Sequence, residues 1–328
     1  MFFSHFFLYI IVISKLFVVR GHRRKYYQDA FDHVFQHALG YRVCFFSIED
    51  RLVFYTIFAI YSRSYGIVVL ALALMFNHFH VLIHAPTSRV MSQFIGTVTS
   101  TYVKAFNRDS GRKGPLFEKA FGNSPKSAEK KIRTCISYCY NSSVEKKLFA
   151  RAEDDRWNFL AYIGNRHPFS PPLALEKASK YLRSALKDVD AHVRDQAYLR
   201  YACIRRLFKN LQTMDREQLI DYIISCYLPI DMESWLNFYK DYDSMLLAIN
   251  SNTGSEYDIK EERDNYSDEV YSDCTRILIS EAHIHHVADI PSLSGERKEA
   301  LFSLLRQRTS ARPKQIRKYL HMPINVKD

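Results

Sequence analysis

The chain has 328 residues, 47% hydrophobic and 25% charged, with a formal net charge of +11. That apolar content supports real cores and excludes a disordered chain, and the length leaves room for two domains or one large one. The charge is uneven: residues 1–165 hold 22 Lys/Arg against 11 Asp/Glu, whereas residues 166–328 hold 24 against 24. A basic first half beside a neutral second half points to a polyanionic partner for the first. Six cysteines (44, 135, 139, 203, 226 and 274) form no C-x-x-C pair, which fits buried thiols in a reducing compartment. Cys135 and Cys139, spaced i, i+4, share a helix face and on their own read as core.

Residues 1–27 are predicted to be a hydrophobic N-terminal extension. Lys15 interrupts the run, which falls short of a clean span of about 20 apolar residues. It reads as a buried strand or helix, or as an upstream extension, rather than as a membrane anchor. "FDHVFQHAL" (31–39) alternates and predicts a strand, and "GYRVCFF" predicts a turn into a second short one. Residues 47–66 predict a helix, opened by Ser47 with Glu49 and Asp50 in its first turn and closed at Gly66. The apolar run 67–76 predicts a buried strand that continues through "NHFHVLIHA" to Pro86. Residues 88–111 predict a helix, 112–125 a basic loop, and 127–148 a third helix breaking near Ser142-Ser143. "RHPFSPP" (166–172) reads as a linker. Helices are predicted over 173–189, 190–211, 215–227 and 231–250. An acidic loop with a short helix follows over 252–273. The tail 292–323 predicts helix, turn, helix, with the turn at Thr309-Ser310.

The strand at 78–84 carries the first chemical signal. Side chains alternate across a strand, so His78, His80, Leu82 and His84 share one face while Phe79, Val81 and Ile83 share the other. Imidazoles buried in an apolar run need partners. Two at i, i+2 project side by side and can reach one divalent ion, although an isolated H-x-H is equally explained by hydrogen-bonded sheet histidines.

"LALMFNHFHVLIHAP" resembles the His-hydrophobe-His segment of HUH-superfamily transposases, the REP-associated tyrosine transposases above all. "DHVFQHALG", "TYVKAFNRDSGRKGPLFEKAFGN" and "YCYNSSVEKKL" resemble further family segments in the same order, so the likeness spans residues 28–165. It implies an α+β domain, a small antiparallel sheet with helices packed on it (HUH, ferredoxin-like or RRM-like), followed by a mostly helical C-terminal domain. The expected organisation is 1–27 extension, 28–165 transposase domain, 166–290 helical domain and 291–328 basic tail. The resemblance also implies cutting and rejoining of single-stranded, hairpin-bearing DNA. Tyr138 stands at the nucleophile's position and would form a 5′-phosphotyrosine. His78 and His80 would hold Mg²⁺ or Mn²⁺. The family's third ligand, commonly Asn or Gln one turn after the tyrosine, falls on Ser142, with Asn141 as its neighbour on the helix. That departure raises a second reading, a domesticated, weakly active or inactive nucleic-acid-binding protein. A metal-dependent hydrolase using His78, His80 and a carboxylate is a third. Tyr140 rivals Tyr138 on spacing alone.

Lys104, Arg108, Arg112, Lys113, Lys126, Lys130 and Lys131 are predicted to meet the DNA backbone. In the tail, Lys314, Arg317 and Lys318 resemble a recognition helix, or else form a solvated basic helix. "HIHH" (283–286) is predicted to be a set of surface histidines on a helix. The partners implied are single-stranded or hairpin DNA and, as in some relatives, a second copy. The expected location is the bacterial cytoplasm, at the nucleoid, without stable membrane association.

Overall fold

The computed structural model describes residues 25–251, 268–284 and 286–324. The predicted extension therefore lies, up to residue 24, outside the described residues, as do residues 252–267 of the predicted acidic segment 252–273. Four strands, β1 (Phe31–His37), β2 (Val68–Leu74), β3 (His78–His84) and β4 (Gly122–Lys126), form one sheet in the order β2-β3-β1-β4, every neighbouring pair antiparallel. Three helices pack on it: α1 (Ile48–Ser64), α2 (Ser88–Asp109) and α3 (Glu129–Glu145). This is the α+β architecture expected.

The two faces of the sheet are chemically distinct. Val34, Phe79, Val81 and Ile83 point into the core that contains the buried side chains of α1 and α2. Leu82 points into a second cluster with Ile132, Cys135, Tyr138 and Cys139 of α3. The alternation read from residues 78–84 thus sorts the strand between two layers of helix.

Local chemistry explains α1 well. The Ser47 hydroxyl accepts from the Asp50 N–H, and the Asp50 carboxylate accepts from the Ser47 N–H, a reciprocal cap. Most of the helix is buried because α2 and the C-terminal half cover the sides that the sheet does not. The Tyr55 hydroxyl donates to the Ile224 carbonyl of α7 (Thr213–Tyr227), and the Tyr201 hydroxyl, in α6 (Tyr201–Phe208), donates to Asp50. The short helix α4 (Ala161–Gly164) ends the first half, and besides α6 and α7 the second half contributes α5 (Lys180–Arg194), α8 (Met232–Leu236), α9 (Tyr242–Asn250), α10 (Glu269–Ser280), α11 (Gly295–Arg308) and α12 (Pro313–Tyr319).

Several expectations are corrected. The strand predicted from 67 to Pro86 is a hairpin: residues 75–77 turn back, closed by the Met75 N–H on the His78 carbonyl at 2.9 Å. No Gly or Pro marks the turn, and Met75 and Phe76 are buried, because the segment 43–46 covers it through hydrogen bonds to the Phe76 carbonyl. That segment is extended but joins no sheet, so the second short strand after Gly40 is absent. The basic loop contains β4, hidden by its Gly-Asn-Ser-Pro-Lys composition. Its Gly122 lies under the Phe35 ring, where a Cβ would collide. Helix α3 runs unbroken through Ser142-Ser143. The helices expected over 173–189 and 190–211 are displaced to α5 and α6, and the one over 231–250 divides into α8 and α9. His283, Ile284 and His286 are not helical. The tail does form helix, turn, helix.

Candidate metal and nucleophile site

Antiparallel register builds a histidine face larger than the H-x-H pair. His37 sits opposite His78, Phe35 opposite His80, and His33 opposite Leu82. Directly paired residues share a face. The i, i+4 spacing of His33 and His37 along a strand was the available signal; the sequence alone does not say which strand lies beside β3. His33, His78 and His80 are buried to 0%, 5% and 1% exposure.

These rings form one directed chain of hydrogen bonds. The Asn77 amide nitrogen donates to the Tyr41 carbonyl at 3.2 Å, which turns its oxygen toward His78 Nδ1 at 2.6 Å. A carbonyl oxygen only accepts, so His78 carries its proton on Nδ1 and offers a lone pair at Nε2. His80 Nε2 lies 2.9 Å from His78 Nε2 and is therefore the donor; His80 Nδ1 then accepts from His33 Nε2 at 3.1 Å. The chain ends on His33 Nδ1, a buried nitrogen with no hydrogen-bond partner. Burial, reinforced by His80 and Lys126, holds His33 well below the usual imidazole range. Burial, His80 and His37 do the same to His78. Both are neutral at neutral pH, the form that ligates a cation.

Helix α3 lies across this face. Cys135, Tyr138, Cys139 and Ser142 repeat at i, i+3, i+4 and i+7, a single stripe. The Tyr138 ring stands edge-on to both His33 and His80, with centroids 5.5 and 5.4 Å apart. Tyr140 points elsewhere, its hydroxyl donating to the Leu70 carbonyl of β2. The Ser142 hydroxyl donates back to the Tyr138 carbonyl, and the Asn141 amide nitrogen donates to the Ile249 carbonyl of α9. His84 lies further along β3, its ring 5.8 Å from Phe31.

The spacing of the His78/His80 pair fits two adjacent positions on one divalent cation. Two nitrogens in adjacent octahedral positions at about 2.1 Å from an ion stand about 3.0 Å apart. The Nε2 atoms of His78 and His80 are already at 2.9 Å.

The predicted DNA-contacting cations fall into three groups. Lys104 and Arg108 are exposed and line a cavity of about 800 Å³ with Arg200 and Arg205. Lys113, Lys130 and Lys131 are exposed too, and Lys130 borders a smaller cavity beside Arg133 and Ser137. The others are engaged within the fold. Arg112 donates to Asn107 and to the Gly114 and Pro115 carbonyls. Lys126 is buried and donates to Ser124. Lys318 is buried over the Tyr41 ring, and Arg317 stacks on Phe302 near Glu299. Lys314 is half-buried. The helix likened to a recognition helix therefore turns two of its three cations inward.

Residues 33–141 match the family model described as IS200-like transposase. The match contains every histidine of the chain just described and Tyr138, and it bears out the likeness read from the sequence. No curated protein matches the chain. A solved structure of a REP-associated tyrosine transposase bound to a REP hairpin is 14% identical, covers 48% of this chain and 93% of its own, and superposes with a TM-score of 0.38, too distant a likeness to argue from. Among the described residues no helix is long and apolar enough to cross a membrane.

Proposed function

We propose that this chain, IS200-like transposase over residues 33–141, is a nuclease and strand transferase for single-stranded, hairpin-bearing DNA with Tyr138 as its nucleophile. The observation that carries the reading is the Tyr138 ring set edge-on across His80 and His33, inside the matched segment. His78 and His80 would hold Mg²⁺ or Mn²⁺ through Nε2. When bound, such an ion offsets the negative charge that develops on the phosphoryl oxygens.

The protein's own groups supply the rest. The Tyr138 phenol oxygen attacks phosphorus, the bond from phosphorus to the 3′ oxygen breaks, and the phenolic proton is given up as the leaving 3′ oxygen gains one. The product is a 5′-phosphotyrosine and a 3′-OH. The covalent bond conserves the energy of the phosphodiester, so the reverse attack rejoins a strand without an external source. Asn77 fixes the His78 tautomer, keeping its Nε2 lone pair toward the ligand position. Lys104, Arg108, Lys113, Lys130 and Lys131 would neutralise backbone phosphates. The helical region 166–290 and the tail 291–328 are proposed to buttress this domain, in the cytoplasm at the nucleoid.

The test is an oligonucleotide cleavage assay with Mn²⁺ and gel detection of a covalent adduct. Wild type forms one and Tyr138→Phe forms none; an adduct with Tyr138→Phe refutes the mechanism. A second reading, a DNA-binding protein without strand cleavage, is favoured by the engagement of Asn141 with α9 and by Ser142 at the third-ligand position. It predicts hairpin binding with no adduct at millimolar Mn²⁺.

A further inference from the structure

Behind the His78/His80 pair, on the same face, one ring nitrogen of His33 and the sulfurs of Cys135 and Cys139 lie within 4.8 Å of one another. His33 Nε2 is held by His80, which leaves Nδ1 as the atom that faces no partner. The three residues are exposed by no more than 1%. We propose that His33, Cys135 and Cys139 form a second, buried metal site, selective for Zn²⁺, whose occupation switches off the His78/His80 site.

The chemistry of the donors selects the ion. Two thiolates and an imidazole are soft to borderline ligands that favour zinc over Mg²⁺ or Mn²⁺. Tetrahedral bond lengths of about 2.3 Å to sulfur and 2.0 Å to nitrogen require donor separations of about 3.5–3.8 Å. The observed ceiling of 4.8 Å closes to that with side-chain adjustments of under an ångström at each donor. Zn²⁺ with two thiolates is also a neutral unit, so burying it avoids the cost of an uncompensated charge. Rigid elements supply all three donors: adjacent turns of α3 and the central strand β1.

The coupling follows from the hydrogen-bond chain and rests on the reading of His78 and His80 as ion ligands. Zinc on His33 Nδ1 keeps the His33 proton on Nε2, donating to His80 Nδ1. His80 must then keep its own proton on Nε2, and that nitrogen has no lone pair for Mg²⁺ or Mn²⁺. Conversely, an ion on His80 Nε2 moves the His80 proton to Nδ1, donating to His33 Nε2, and places the His33 proton on Nδ1, the nitrogen zinc would take. Along this chain of hydrogen bonds, neither ion can hold its site without excluding the other. The inferred device would silence strand cleavage when zinc is abundant.

Zinc K-edge X-ray absorption on the wild-type protein loaded with one equivalent of Zn²⁺ tests the site without mutation. Two sulfur neighbours are expected. A shell of nitrogen and oxygen only, or no bound zinc, overturns the proposal. The coupling is read as the ratio of Mn²⁺-dependent adduct yield without and with one equivalent of Zn²⁺. At least tenfold suppression is expected for wild type, against a ratio near one for Cys135→Ser and for Cys139→Ser. Equal suppression in all three proteins overturns the coupling. Absence of an adduct from zinc-free wild type would instead defeat the cleavage reading, and the sulfur shell would stand or fall separately.

Discussion

Tyr201→Phe probes whether the helical half is anchored to the transposase-like half through a buried charge. Asp50 has no solvent exposure and gathers the Phe46 and Ser47 N–H groups and the Tyr201 hydroxyl, the last at 2.6 Å. Burial pushes its carboxyl up from 3.8 to about 6, against the Tyr201 and Ser47 hydrogen bonds, which pull it down. The folded state therefore holds the proton more tightly than the unfolded chain. The stability Asp50 contributes is fully present below pH 3.8 and is lost as pH rises through about 6. At 1.36 kcal/mol per unit the swing is about 3 kcal/mol. The Tyr201 hydroxyl opposes that loss, because its length is that of a charge-assisted bond, worth about 1.5–3 kcal/mol when the acceptor is ionised and about 0.5–1.5 when it is neutral. Tyr201→Phe should thus cost roughly 2 kcal/mol at pH 7.5 and about half as much at pH 4.5. Urea unfolding followed by fluorescence of Trp157 and Trp235, the chain's two tryptophans, measures both. Equal costs at the two pH values, or a cost below about 0.5 kcal/mol at pH 7.5, would refute a buried ionised anchor.

Tyr140→Phe removes only the bond to the Leu70 carbonyl, so it should cost about 1 kcal/mol while still forming the covalent adduct; loss of the adduct would make Tyr140 the nucleophile. Asn77→Ala frees the His78 tautomer and should weaken Mn²⁺ binding about 10–100-fold by calorimetry, with unchanged affinity counting against the hydrogen-bond chain. His321 is buried, with Nε2 on the Val43 carbonyl, and burial pushes it down to about 3. The unfolded chain takes up that proton first, so this contribution is intact above pH 6.5 and drains away as pH falls toward 3. The limit is about 5 kcal/mol. His321→Gln should flatten the acid limb of a stability–pH profile, and an unaltered limb would contradict the assignment.

The sequence by itself determined the elements whose period is strong and local. Helix α1 was legible from Ser47 and Asp50, because a cap is a contact between neighbours in the chain. The facing of His78 and His80 was legible from strand alternation, and Tyr138 from its segment's likeness to a family. What stayed hidden depends on contacts between residues far apart in sequence. The turn at 75–77 carries Asn77 as its only turn residue, with Met75 and Phe76 buried, since its stability comes from the 43–46 segment above it. Strand β4 has poor intrinsic propensity and exists because β1 pairs with it and Phe35 covers Gly122. Lys126 and Lys318 read as solvent-facing cations, and only packing shows them buried. His33 is the clearest case. Nothing within residues 28–40 says that it will meet His80 across β1 and β3 and the sulfurs of α3 from above. Periodicity fixes which way a side chain points along its own element, whereas its neighbours across the sheet are set by register and helix docking, which the whole core decides together.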